Sequence, residues 1–292
     1  MHYVIGDVHG CFDEMMRLIQ KIEKQDEDAI IYFVGDFIDR GPKVWETLQW
    51  MMKNITPVGK YRSVRGNHEE MVCEWFRTVG EWWTEEREPD IGLKYGFHKV
   101  LKEQQCFTKE KVSEIVDFFE SLPLWRLVET KALFDEEQQY VIGHAYVPRP
   151  EELVSMTKEE KKYVCLWERR HMWGYHGANN QILVHGHTPT VSDEYILRNP
   201  KVRPGMIGYN RSCINVDSGC CYFYTDLGSQ YPCLLSGICL ESKKEFYSDT
   251  VEERFEAHIK RNKPALLNVL NSEEVAKLYA EEYWKEIEYR KY

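Results

Sequence analysis

The feature that most constrains this chain is a repeated pattern, in which a short run of β-branched and aromatic residues stops at a glycine set beside aspartate, histidine or asparagine. Tyr3-Val4-Ile5 runs into Gly6-Asp7-Val8-His9-Gly10, Ala29 to Val34 into Gly35-Asp36-Phe37-Ile38-Asp39-Arg40-Gly41, and Tyr61 to Val64 into Arg65-Gly66-Asn67-His68-Glu69. Tyr140-Val141-Ile142 is followed by Gly143-His144-Ala145, Ile182-Leu183-Val184 by His185-Gly186-His187-Thr188-Pro189, and Cys213 to Val216 by Asp217-Ser218-Gly219. A further β-rich run spans Leu234 to Leu240. Polar, flexible residues immediately after buried strands are where open α/β sheets place their sites. Between the first two runs lies an amphipathic stretch, Phe12 to Lys24, whose Met15, Leu18, Ile19 and Ile22 fall at helical spacing. Strands alternating with helices predict an α/β layered fold.

Residues 69–125 are rich in Glu, Lys, Trp and Phe and close with Phe118 to Pro123. They predict a helical insertion or cap over the site, inside a catalytic domain of residues 1–250. Trp82-Trp83 either packs within that cap or lines a substrate groove. Pro148 and Pro150 open a connector that runs to Lys162, and Gly174 to Asn180 and Asn199 to Asn210 are irregular by their Gly and Pro content. Residues 251–292 are highly charged, with apolar positions at helical spacing on either side of Asn271-Ser272-Glu273-Glu274. They predict two helices, the second capped by Ser272 or Asn271. This C-terminal helical extension either packs on its own domain or serves a protein partner or self-association. No motif residue lies beyond His187, so the extension is expected to stand outside the catalytic machinery.

Composition acts as a filter. A chain of 292 residues buries a substantial core without staples. With 43% hydrophobic and 29% charged residues it is neither disordered nor fibrous. No apolar stretch approaches the ~20 residues of a membrane span, and Asp7 and His9 stand where a signal peptide needs an apolar run. Nine cysteines without a CxxC spacing argue for a reducing cytoplasm; the neighbours Cys220 and Cys221 suit two ordinary thiols on opposite sides of a strand. Lys plus Arg is 38 and Asp plus Glu is 48, a net charge of −10. Such a chain should not coat nucleic acid or anionic lipid. Phosphate chemistry here would need positive charge concentrated locally by metal ions or a few arginines.

The strand-end clusters supply carboxylates, imidazoles and an amide. Oxygen and nitrogen donors without thiolates suit Mn²⁺, Fe or Zn²⁺. Two metals sharing one bridging carboxylate need about this inventory, and such a pair clamps a phosphoryl group while generating a hydroxide nucleophile. Any one segment alone could be a turn or a structural histidine; their ordered conjunction points to metal.

This ordered set, GDxHG, GDxxDRG, GNHE and two later histidine segments, resembles the phosphoprotein phosphatase family of calcineurin-like metallophosphoesterases. The resemblance covers roughly residues 1–247, and the layout is most similar to small bacterial and phage members. It implies a β-sandwich of two mixed sheets flanked by helices and a pair of divalent metal ions, Mn²⁺ foremost with Fe or Zn²⁺ as alternatives. Asp7 and His9 would hold the first ion, Asp36 would bridge both, and Asn67, His144 and His187 would complete the second. His68 is the implied general acid, kept protonated by Asp39. Arg40 and Arg65 would fork onto phosphate oxygens. A third arginine is expected in Leu166-Trp167-Glu168-Arg169-Arg170, with Arg169 favoured and Arg170 the alternative. His185 and Asp217 are given structural parts, and His2, His98, His171, His176 and His258 no role.

The implied activity is hydrolysis of phosphomonoesters by a metal-bridging hydroxide, with a phosphoserine or phosphothreonine protein or peptide as substrate. The alternative is a symmetrical dinucleoside tetraphosphatase. Those enzymes resemble this chain at the first motif but typically lack the acid before arginine in the second and carry GNHD in the third. Asp39 and Glu69 therefore favour the phosphoprotein reading. A nucleotide- or nucleic-acid-directed phosphoesterase is weighed against by the acidic charge. A non-catalytic binding module would have lost ligands, and none is lost.

Overall fold

Alternation along short strands decides which residues meet which layer. The computed structural model describes residues 1–81, 83, 96–131, 137–169, 181–210, 212–262 and 272–289; Trp82, Gly174 to Asn180, Arg170, His171, His176 and Asn271 lie outside them. Strands β1 (His2–Ile5), β2 (Ile30–Phe33) and β3 (Tyr61–Ser63) run parallel, with α1 (Phe12–Gln25) and α2 (Val44–Asn54) as crossovers. β9 (Ser236–Cys239) adds to β1 and β10 (Glu245–Tyr247) to β9, both antiparallel, giving the order β10-β9-β1-β2-β3. In the second sheet β5 (Glu137–Gly143), β6 (Ile182–His185) and β8 (Cys213–Asn215) are parallel. β4 (Trp125–Lys131) and β7 (Gly208–Asn210) close its two edges antiparallel.

Val4, Tyr32, Val34 and Val64 of the first sheet meet Val128, Tyr140, Ile142, Val184 and Ile214 of the second, forming the sandwich core. Their neighbours Tyr3, Ile5, Ile31 and Phe33 turn the other way, onto Met15, Leu18, Ile19 and Ile22 of α1. Each aliphatic side chain so buried contributes about 1.5–3 kcal/mol. The expected sandwich of two mixed sheets flanked by helices is present. Three strands absent from the sequence reading, β4, β7 and β10, are all edge strands. With one neighbour each they need no continuous apolar run, and Leu127 of β4 is indeed exposed.

Helix α3 (Asn67–Val79) starts two residues before the expected insertion, so Asn67 and His68 lie in its first turn. It packs with α4 (Phe97–Glu103) and α5 (Lys109–Ser121) around Val72, Trp83, Phe97, Ile115 and Phe119, against Ile38, Val44 and Leu48. Trp83 is thus a core residue. Short helices α6 (Pro150–Ser155), α7 (Lys158–Trp167) and α8 (Asp193–Arg198) follow. Cys220 and Cys221 are not on a strand: they begin a 3₁₀ turn, Cys220–Tyr224, that starts where Gly219 takes φ 78°. The conformational switch at Gly219 takes the chain out of the extended region, and both thiols are buried. All nine cysteines are free.

Helices α9 (Val251–Asn262) and α10 (Ser272–Tyr289) bury Phe255, Ile259, Val275, Tyr283 and Ile287 with Met206 and Leu234. Among the described residues of the extension, these apolar side chains pack within the chain, while Leu278 is exposed. Among the described residues no helix is long and apolar enough to cross a membrane.

Candidate metal centre

The loops after β1, β2, β3, β5 and β6 converge at one edge of the sandwich, and their backbones are strained there. Among the described residues eight non-glycine positions have positive φ. Five of them are His9 (43°), Asp36 (51°), Asp39 (68°), Arg40 (69°) and His187 (67°). Left-handed backbone at such residues costs on the order of 1–3 kcal/mol each and persists only where the surroundings impose it. Glu69 supplies much of that constraint. Its buried carboxylate accepts the N–H groups of Asp36, Phe37 and Gly66, each at 2.9 Å. The loop after β2 is thereby tied to the start of α3. The Asp36 carboxylate accepts the His68 N–H at 3.0 Å, at the positive end of that helix. A side chain at Gly66 would collide with Asp36, and one at Gly186 with the Asp7 carboxylate.

Asp36 belongs to two buried groups of donor atoms, one with His9 and His68, the other with His144 and His187; in each the atoms lie within 4.8 Å of one another. His9 Nε2 is 3.3 Å from Asp36 Oδ2, and His144 Nε2 is 3.5 Å from Oδ1. His144 Nε2 also lies 2.8 Å from Asn67 Oδ1 and 3.1 Å from His187 Nδ1, which is itself 3.0 Å from Asn67 Oδ1. The far nitrogens fix the rings: His9 Nδ1 donates to the Ile38 carbonyl at 2.8 Å and His144 Nδ1 to Val34 at 2.9 Å. Each Nε2 is left as a lone pair aimed inward, the arrangement that metal-binding histidines adopt. Asp7 accepts the His187 N–H at 3.1 Å through Oδ2, while its buried Oδ1 has no hydrogen-bond partner. Crowded acceptors and an orphaned carboxylate oxygen fit cations. The buried His/Asp clusters accommodate a dinuclear metal site that shares Asp36.

Protonation sorts the four imidazoles. Burial lowers His9 to about 4, lowers His144, and holds His187 well below its ordinary value, so all three are neutral donors. His68 goes the other way: burial alone would lower it, but Asp36 and Asp39 raise it. Its Nδ1 donates to Asp39 Oδ2 at 2.6 Å. Burial would likewise raise Asp36, yet His144, His68 and His9 hold it well below the usual carboxylate range. Asp7 is raised by burial and by Asp217 and Asp36, a crowding that a cation would relieve.

The arginines divide. The Arg40 guanidinium lies against two imidazoles, Nη1 3.0 Å from His9 Nε2 and Nη2 3.1 Å from His68 Nε2. Arg169 donates to Thr188 Oγ1 at 3.1 Å, beside His187. Arg65 departs from its expected place on phosphate. Its Nη1 lies 2.5 Å from Glu70 Oε2, and Nη2 donates to the carbonyls of Glu120 and Leu122 at 2.6 and 3.2 Å. Glu70 is 1% exposed and also takes Arg77 at 3.0 Å and Lys162 at 2.6 Å. A buried carboxylate is costly without partners, and Glu70 has claimed the arginine five positions before it. His185 is buried with Nδ1 3.0 Å from the Gly186 carbonyl, outside both donor groups. Asp217 Oδ1 accepts the Gly219 N–H at 3.0 Å, a turn-forming contact.

Two contributors escaped the sequence reading. One is the backbone clamp made by Glu69. The other is the Cys220–Tyr224 turn, where the Tyr222 ring packs 5.9 Å from the Arg40 guanidinium. Nothing in that run distinguishes it from a core strand.

The family model for calcineurin-like phosphoesterases matches residues 3–211. Among curated proteins, the bis(5′-nucleosyl)-tetraphosphatase PrpE (asymmetrical) of Bacillus velezensis is 25% identical over 252 residues, covering 78% of this chain and 88% of that protein. A symmetrical bis(5′-nucleosyl)-tetraphosphatase of Neisseria meningitidis is 29% identical over 149 residues, 50% of this chain and 52% of that one. A crystal structure of a protein provisionally named a diadenosine tetraphosphatase superposes with a TM-score of 0.50 at 13% identity, covering 84% of this chain and 91% of that chain.

Proposed function

The chain belongs to the calcineurin-like phosphoesterase family, and from that premise we propose that this metal-dependent phosphoesterase is a bis(5′-nucleosyl)-tetraphosphatase of the asymmetrical kind. The observation that carries the reading is the match to the asymmetrical enzyme of B. velezensis, which spans 78% of this chain and 88% of the relative. Asp39 and Glu69, which favour a phosphoprotein substrate in sequence, lose that weight in the fold. Asp39 faces His68 and Glu69 faces three backbone amides, so both build the site for any phosphoester.

Asp7, His9 and Asp36 would hold one divalent ion and Asp36, Asn67, His144 and His187 the other; the N/O donor set suits Mn²⁺. Bound there, such ions supply electrophilic charge to the phosphoryl oxygens and lower the pKa of an attacking water. Arg40 and Arg169 bind phosphate oxygens, supplying the local positive charge that a chain of net charge −10 otherwise lacks. His68 holds a proton for the departing oxygen, and Asp39 orients its ring. Asymmetrical cleavage expels a nucleotide phosphate whose last pKa is near ~6, so that oxygen leaves without needing the proton.

A phosphoprotein substrate is the second reading; a raised His68 pKa favours it, because a serine alkoxide is the leaving group that most needs an acid. The test supplies Mn²⁺ with diadenosine tetraphosphate or a phosphoserine peptide and resolves products by chromatography. AMP plus ATP, formed faster than phosphate from the peptide, is the expected result. Two ADP would move the assignment to the symmetrical kind, and a clear preference for the peptide would overturn it.

A further inference from the structure

Helix α9 lies beyond residues 3–211, the part matched by the family model. It nevertheless carries a buried cation. Arg254 is 3% exposed, in a helix whose apolar residues would suffice for packing. A buried guanidinium costs several kcal/mol unless it is paired and hydrogen-bonded. Its Nη1 reaches Glu14 Oε1 of α1 at 2.7 Å and lies 3.7 Å from Asp249 Oδ2. Nη2 donates to the Cys220 carbonyl at 3.4 Å, and the guanidinium carbon stands 3.7 Å from the centre of the Phe223 ring. Tyr224 joins the same grip, its hydroxyl donating to Glu14 Oε1 at 3.3 Å and its ring lying 4.6 Å from the Arg261 guanidinium. His258 of α9 is 5.9 Å from Phe223.

Apart from the pairings of Arg254 with Glu14 and Asp249, these contacts fall on one short segment, the Cys220–Tyr224 turn. A 3₁₀ turn has few hydrogen bonds of its own and takes its position from what holds it. The same turn packs on Arg40 through Tyr222, whose ring centre lies 5.9 Å from that guanidinium. The chain of contact is therefore α1 and α9, then the turn, then Arg40, then His9 and His68.

We propose that Arg254 is a positioning residue which, through the Cys220–Tyr224 turn, fixes Arg40 over His9 and His68 and so makes α9 part of the phosphate-binding apparatus. The inference rests on Arg40 binding phosphate and not on which phosphoester is natural. It replaces the expectation that the extension stands outside the catalytic machinery.

The test uses the full chain loaded with Mn²⁺, p-nitrophenyl phosphate as substrate and inorganic phosphate as inhibitor. A misplacement of about 1 Å in a binding group can cost ~10²-fold. Arg254→Met should raise KM and the phosphate inhibition constant by about tenfold to a hundredfold, with kcat less affected and both ions retained by metal analysis. Amides 220–224 should exchange faster with solvent, and Arg254→Lys should recover part of the KM. In an Arg40→Ala background Arg254→Met should add no further rise. A folded Arg254→Met protein with unchanged KM and phosphate inhibition, or losses that simply add in the double variant, would overturn the proposal. If Arg254→Met does not fold, Tyr222→Leu alters the turn without touching α9. It should reproduce the KM rise and the non-additivity with Arg40→Ala, and an unchanged KM there would equally overturn the proposal. Failure of the wild-type protein on diadenosine tetraphosphate would count against the proposed substrate alone.

Discussion

The two donor groups share Asp36 but are built on different principles. His9, Asp36 and His68 come from the ends of β1, β2 and β3, a single sheet and a short stretch of chain. Asn67, His144 and His187 meet across the sandwich, the first from one sheet and the other two from the second. The cross-sheet group is crowded with neutral nitrogen and oxygen donors and is suited to holding an ion. The single-sheet group adds Asp39 and Arg40 and contains the one imidazole, among the described residues, whose pKa is raised. The pKa values of these four buried histidines thus move in opposite directions, according to whether carboxylates face the ring strongly enough to offset burial.

The shared residue gives the most severe way to break this contrast. Asp36→Asn should empty both groups together and reduce turnover to background, whereas His144→Ala should empty the cross-sheet group and leave the other loaded. Metal analysis of the two variants decides; one ion still held and active in Asp36→Asn would end the idea of a shared carboxylate.

Next in size is the proton. His68→Asn should keep both ions and lose about 10²–10⁴-fold on a phosphoserine peptide. Much less should be lost on p-nitrophenyl phosphate or diadenosine tetraphosphate, whose leaving groups tolerate a negative charge. The pH profile sharpens the point. Burial alone would lower His68, but Asp36 and Asp39 raise it. Acid-dependent turnover should therefore persist above the ordinary histidine range and fall as pH rises through the raised value. Asp39→Asn should move that alkaline limb to lower pH, and a limb that stays in place would remove Asp39 from the role.

The smallest effect on catalysis is expected at Arg65. Breaking its buried pairing with Glu70 should destabilise the fold by about 3–5 kcal/mol, measured by denaturant unfolding. KM for p-nitrophenyl phosphate should barely move in Arg65→Met. A large rise in KM with stability unchanged would return Arg65 to the phosphate.

What was legible in the sequence was local. The loops after the central strands carry their chemistry within a few residues of a buried apolar run, so pattern and glycine betray them. Three edge strands were hidden because a strand with one neighbour needs no apolar signature. Substrate class is not legible from Asp39 and Glu69, because identity alone does not say that a carboxylate points inward at an imidazole or at backbone amides. The pairing of Arg65 with Glu70 was not legible, because Glu70 sits just past the motif that draws attention. The grip of α9 on the Cys220–Tyr224 turn was invisible, since its partners are far apart in sequence and unremarkable one at a time.

That distance has a consequence during synthesis. Glu14 and Arg254 are 240 positions apart, and β1 pairs with β9 through Tyr3 and Cys239. At about 5–20 residues per second, the ribosome makes the carboxylate roughly ten to fifty seconds before its guanidinium partner. Throughout that interval the nascent chain can already carry several of the metal-donor loops, but it has an open edge on β1, a Glu14 that lacks Arg254, and no α9 against the turn beside Arg40. The emerging chain thus has donors for metal before α9 is present to hold the turn that packs on Arg40.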